Sequence, residues 1–142
     1  MLSPTVVSDI KSIINTAREK AIRAVDTERV LMYWHIGQRI FLEEQQGKER
    51  ADYGRYLIKS LSEKLEPEYG TGFSFRHLNW YRQFYRTFPI VNALRSQLSW
   101  THYRLLIRLE SQDKIEFYIA EVVKNNWSSR QLERQISGPS PC

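Results

Sequence analysis

Apolar residues recur at three- and four-residue intervals along almost the whole chain, and no stretch alternates apolar with polar residues for long. That interval is the repeat of one face of a helix, whereas a strand repeats every second residue. The sequence therefore predicts an all-α fold. A first helix is expected from about Val7 to Val25, with Ile10, Ile13, Ile14, Ala17 and Ala21 as its apolar stripe. Asp26 and Thr27 are cap-type residues and are expected to interrupt it. A second helix should run from about Glu28 to Gln46, with Val30, Trp34, Gly37 and Phe41 on one face, Tyr33 and Ile40 beside them, and Gly47 as its C-cap. Gly37 costs that helix about 1 kcal/mol relative to Ala, so its use there predicts a close crossing with another helix.

A third helix is expected over about Ala51–Leu65, with Leu57, Ile58, Leu61 and Leu65 facing inward, after which Pro67 and Gly70-Thr71-Gly72 form a break. Ser74 can cap a fourth helix that reaches about Phe88 and stops at Pro89. Residues 90–98 are open between a wing, a loop and a short helix. Ser99 can cap a helix to about Glu110, and Ser111 another from Gln112 to Asn126. The last helix starts at Ser128-Ser129-Arg130-Gln131, a capping-box pattern. Residues 137–142 read as an unstructured tail or linker stub. A chain of 142 residues fits one domain. Here that is a single helical domain over 1–136, divided into a long-helix part (1–50) and a helix-turn-helix-like part, with or without a wing (51–136).

Composition narrows the class. Apolar residues at 42% and charged residues at 26% suit a globular domain rather than a disordered one. Cys142 is the only cysteine, which leaves no internal disulfide and no Cys-built zinc site, and fits a reducing compartment. There is no run of 18 apolar residues, and no charged start followed by a long apolar stretch. A cytoplasmic domain with no membrane partner is the expectation.

The net charge of +5 becomes informative once it is mapped. Between Thr71 and Leu109 there is no acid in 39 residues, while Arg76, Arg82, Arg86, Arg95, Arg104 and Arg108 fall within them. The rest of the chain holds 15 basic and 16 acidic residues, so the whole excess lies in this segment. The segment also holds nine of the 18 aromatics. Every cation in it is arginine, whose planar fork suits phosphates and base edges. Arginines and aromatics at this density read as a nucleic-acid surface, against the plainer reading of an aromatic core with a solvated basic face.

The third and fourth helices, joined by a Gly-containing turn, follow helix-turn-helix grammar, although the connector is longer than usual. On a wheel with Leu78 at zero, Trp80, Tyr81, Phe84, Tyr85 and Phe88 fall between about 200° and 340°. Arg76, Asn79, Arg82, Gln83 and Arg86 occupy about 40° to 160°. Arginine can pair with phosphate or guanine, and Asn or Gln with adenine, in a major groove. Trp80, at the edge of the apolar arc, is expected in the core or at its rim. Thr101, Arg104 and Arg108, at i, i+3 and i+7, form a second basic face that either clamps the DNA backbone or is simply solvated, with Trp100, Tyr103 and Ile107 turned inward.

Catalytic motifs are missing. His35, His77 and His102 have no metal-ligand spacing, and there is no P-loop or nucleophile elbow. Glu63, Glu66 and Glu68 read as a charged helix end. Gln112-Asp113-Lys114 is half of a nuclease metal motif at most, on a helix start and without an upstream Asp. No set of convergent carboxylates able to hold Mg²⁺ is apparent. The expectation is no catalytic residue, no metal and no cofactor, hence no enzyme in this chain.

Several stretches together resemble the N-terminal domain of the YhcG-like family: Tyr33-Trp34-His35-Ile36-Gly37, Arg50-Ala51-Asp52-Tyr53-Gly54, Leu61-Ser62-Glu63-Lys64-Leu65, Gly70-Thr71-Gly72-Phe73-Ser74, Leu78 through Arg82, Phe84-Tyr85, Ser99-Trp100-Thr101-His102-Tyr103 and Trp127 through Leu132. The resemblance covers about residues 8–136. Members are bacterial proteins whose C-terminal half looks like a PD-(D/E)XK nuclease and whose N-terminal half was long a domain of unknown function. The family pattern often has Asn where His77 stands and Met where Tyr81 stands; neither change removes a basic residue. The chain ends where the nuclease half would begin.

The resemblance thus implies a DNA-related module that positions a C-terminal nuclease domain. The expected surface is Arg76, Asn79, Arg82, Gln83 and Arg86, with Arg104 and Arg108 as secondary backbone contacts, and the expected partner is double-stranded DNA. Binding should weaken with salt, by about 0.9 in log K per neutralised phosphate. Replacing Arg82 and Arg86 by Glu is expected to abolish binding and leave the fold intact. The alternative is a protein-interaction and oligomerisation module of the same nuclease, a homo-oligomer built on the N-terminal apolar arcs Val30/Trp34/Phe41 and Ile10/Ile14/Ala17.

Overall fold

The computed structural model describes residues 4–46 and 53–138. They form six α-helices: α1 (Pro4–Gln46), α2 (Tyr53–Tyr69), α3 (Phe75–Thr87), α4 (Trp100–Leu106), α5 (Gln112–Asn125) and α6 (Ser129–Ser137). No strand occurs among the described residues. The all-helical expectation holds. The Gly47 cap and the tail beyond Gly138 lie outside the described residues.

The two expected N-terminal helices are one. With 43 residues, α1 is about 65 Å long. Asp26 and Thr27 do not interrupt it, because each costs a helix interior only about 0.7 kcal/mol or less and no Gly or Pro lies between Pro4 and Gly37. Its two halves differ sharply. Residues 8–25 are exposed throughout, whereas Val30, Trp34 and Ile40 are buried.

Four serines do what their positions predicted. Each is the N-cap of its own helix and accepts from a backbone N–H three residues on: Ser74 from His77, Ser99 from His102, Ser111 from Lys114 and Ser128 from Gln131. Gln131 returns the bond by accepting from the Ser128 N–H at 2.7 Å, which completes the capping box. His102 closes a second box. Its Nδ1 accepts from the Ser99 N–H at 3.0 Å, and its Nε2 lies 2.9 Å from the Trp127 carbonyl, so the hydrogen sits on Nε2.

Two helix ends moved. Pro67 does not stop α2, which runs on to Tyr69. In the last turn a proline forfeits one backbone bond while its fixed φ still suits the helix. Gly70 then takes a φ of 102°, and its N–H donates to the Glu66 carbonyl at 2.8 Å. By contrast, α4 stops four residues before Glu110. The Ile107 carbonyl accepts from the Gln83 side chain at 2.8 Å instead of from the next helical turn. Residues 91–93 form a 3₁₀ turn, so 90–98 is not a β-wing.

Buried side chains form two clusters. One joins Val30 and Trp34 of α1, Phe84 of α3, Phe88 just after it, and residues from Leu98 through α4, α5 and α6. The other joins Ile40 of α1, Ile58 of α2, and Leu78 and Tyr81 of α3. Both therefore use α3, which lies along the C-terminal half of α1. At their crossing, a Cβ on Gly37 would stand 1.9 Å from the Tyr81 carbonyl oxygen, so the close approach inferred from that glycine is present. Trp34 Nε1 donates to the Phe88 carbonyl at 2.6 Å and fixes the far end of α3 to α1. Tyr81 donates to the Gly72 carbonyl at 2.7 Å and holds the α2–α3 connector.

Candidate nucleic-acid interface

The amphipathic wheel of α3 is reproduced. Leu78, Tyr81, Phe84 and Phe88 are buried, Tyr85 is half-buried, and the opposite side faces outward. On that side Asn79, Arg82, Gln83 and Arg86, with Thr87, line one polar hollow of about 530 Å³. Four of the five α3 residues singled out in the sequence are therefore brought together. Only Arg86 and Gln83 among them are exposed; Asn79 and Arg82 are half-buried.

Their partners differ. Asn79 Nδ2 donates to the Phe75 carbonyl of its own helix at 3.0 Å. Gln83 commits one amide hydrogen to Ile107. Arg82 Nε donates to Glu44 Oε1 at 2.6 Å, an ion pair in which the two side chains keep 25% and 17% of their exposure. Glu44 belongs to the end of α1, 38 residues away in sequence. The stretch without acids is thus acid-free in sequence but not in space. Arg82, a member of the expected surface, is therefore paired with an acid from outside that segment. Its two terminal nitrogens remain as donors, since only Nε is committed.

Arg76 and Arg104 meet at Trp80. The Arg104 guanidinium lies 4.1 Å from the indole centroid and that of Arg76 5.6 Å, both within cation–π range. Trp80 is half-buried between them, at the rim. Of the expected second face, Thr101 and Arg108 are exposed and Arg104 is half-buried. Because α4 ends at Leu106, Arg108 sits exposed on the turn that follows it. Tyr103 and Ile107 are buried and Trp100 half-buried, as expected.

His77 follows the cap of α3, with Nδ1 2.8 Å from Ser74 Oγ. Its pKa is lowered by burial first, then by the cations Arg104 and Arg76, against a smaller opposing effect of Glu66. Burial also raises the hydroxyl pKa of Tyr81 and of Tyr103, which are structural: the Tyr103 oxygen accepts from the Arg95 N–H at 2.7 Å. Among the described residues no group of His, Cys, Asp and Glu is arranged to hold a metal ion, and no helix is long and apolar enough to cross a membrane.

Sequence reasoning missed Glu44 and the pairing around Trp80. Glu44 carries no local signal, because its role depends on where α1 crosses α3. Trp80 carried a partial one, its place at the edge of the apolar arc.

An all-helical domain with an arginine-bearing face on a central helix is the class these features define. The chain matches the DUF1016 N-terminal domain over residues 9–140 and belongs to that family. It is also 31% identical, over 157 aligned residues, to the Escherichia coli (strain K12) protein named "Putative nuclease YhcG". That alignment covers 88% of this chain and 42% of the relative, so the chain spans less than half of that protein's length. No solved structure gives a significant match.

Proposed function

We propose that this chain is the DNA-binding module of a YhcG-like nuclease, holding duplex DNA against the polar face of α3 and delivering it to a catalytic domain not contained here. The observation that carries this reading is the hollow lined by Asn79, Arg82, Gln83, Arg86 and Thr87, whose lining is almost wholly made of groups that bond phosphates and base edges. It lies in the segment that holds all of the excess positive charge. The nuclease name of the relative supports the same substrate. In this reading α2 and α3 act as a helix-turn-helix-like pair, Arg76 and Arg104 contact the backbone beside it, and Arg108 is a peripheral cation. The chain itself does no chemistry, and it works in the cytoplasm, where DNA is available.

The test is fluorescence anisotropy of a labelled duplex at low and then physiological salt, with wild type, Arg86→Glu and Arg76→Glu. Both arginines are exposed, so both variants should keep their helical circular dichroism. Affinity should fall at least tenfold in Arg86→Glu, and the wild-type log K should fall with log salt by about 0.9 per phosphate contact. Folded Arg86→Glu that binds like wild type would refute the assigned face.

A second reading, self-association through α1, is favoured by the exposed side chains Ile10, Ile13 and Ile14. It can use only that part of the expected surface. Val30 and Trp34 are buried within the chain, and Phe41 packs against Tyr85 with ring centroids 5.4 Å apart. Light scattering against concentration decides it: a strict monomer removes this reading.

A further inference from the structure

The polar face of α3 does not stop at Asn79. Phe75 precedes it by one turn on the same side, about 40° away around the helix axis, and the residue is 40% exposed. Together with Arg55, Tyr56 and Lys59 of α2, Phe75 lines a second hollow of about 570 Å³. Tyr56 is 69% exposed. The two hollows therefore adjoin along α3, one lined by cations and amides, the other by two cations and two open aromatic rings.

An exposed aromatic pair has nothing to do on an intact duplex, whose base faces are covered by their neighbours in the stack. It has a use where bases are unpaired, since every base offers a face to an aromatic ring while cations track the phosphates. Arg55 and Lys59 supply charge of the sign such a strand requires. We infer that the hollow of Arg55, Tyr56, Lys59 and Phe75 receives unpaired nucleotides of a single-stranded DNA segment adjoining the duplex on α3, so that the preferred substrate carries a duplex–single-strand junction. This rests on the reading of α3 as the duplex-binding face and adds the class of DNA that the same surface selects.

The experiment compares three fluorescein-labelled DNAs with the 142-residue chain at one salt concentration: a blunt 20-base-pair duplex, that duplex with a ten-nucleotide tail, and the ten-nucleotide strand alone. The tailed duplex should bind at least tenfold more tightly than the blunt one, and the free strand more weakly than either. Tyr56→Ala/Phe75→Ala should bring the tailed duplex down to the blunt value and leave the blunt duplex unchanged. Both rings are on the surface, so the double variant should melt like wild type; if it does not, Tyr56→Ala alone serves. A 2-aminopurine placed at the first unpaired positions should be quenched by wild type and not by the variant. Equal binding of blunt and tailed duplex overturns this inference and leaves the duplex reading standing. Binding of the free strand as tightly as the tailed duplex also overturns it. Absence of binding to all three overturns both.

Discussion

The ion pair between Arg82 and Glu44 makes one arginine of the face different from the others. Arg86 can be reversed in charge at little structural cost, because exposed substitutions away from special features stay within about 0.5 kcal/mol. Arg82→Glu instead sets a second carboxylate against Glu44 in a mostly covered setting and loses the bond to Nε. The expected cost is about 1–3 kcal/mol, read as a clear drop in the thermal midpoint, while Arg86→Glu melts like wild type. Swapping the charges, Glu44→Arg with Arg82→Glu, should recover part of the loss. If Arg82→Glu melts at the wild-type temperature, the pair is not a structural contact. A double Arg82/Arg86 reversal is therefore a poor test of DNA binding, since lost affinity and lost fold would coincide.

His77 sets a pH dependence at the same scale. Its pKa is lowered in the folded chain, so between that value and the unfolded value near 6.5 the unfolded state holds more protons. Stability then rises with pH in that window. The contribution is fully present above about pH 6.5 and declines as the pH falls toward the folded value. The midpoint should be lower at pH 5 than at pH 7.5, and His77→Asn should lessen that difference. A difference of the same size in the variant would assign it to other groups.

At the scale of elements, what the sequence made legible was local. The four serine caps, the stop at Pro89 and the wheel of α3 each depend on residues within a turn or two, and the structure bears them out. The misreadings depended on partners far away. Asp26 and Thr27 look like caps, but capping is a weak preference that a continuous helix outweighs. The end of α4 depends on Gln83 reaching the Ile107 carbonyl, 24 residues away. Of the candidate site, the residues of α3 were readable from periodicity. Glu44 was not, since a single sequence holds no trace of which acid a crossing helix will carry. Gly37 was the exception: its cost within a helix betrayed the crossing before any partner was known.

The exposed half of α1 yields its own prediction. Residues 8–25 are exposed throughout, so they add little to the stability of the packed body. Removing residues 1–24 should leave the thermal midpoint within about 2 °C of the full chain. A fall of more than about 5 °C, beyond what 1 kcal/mol moves a chain of this size, would mean that the arm is covered in solution. Light scattering on the same samples would then show whether a second copy covers it.

For the whole molecule, the arrangement of α3 matters more than its length. Its 13 residues furnish the inner wall of both buried clusters while its outer side carries the candidate interface. An interface on a peripheral loop can change without the core noticing; this one cannot. Any molecule that binds the outer side of α3 in its native form adds its binding free energy to the stability of the entire packed body, about 2.7 kcal/mol at a hundred times the dissociation constant. Recognition and folding are thereby linked through one helix. The melting temperature becomes a gauge of what the protein holds, and weakening of either buried cluster is felt as weakened grip.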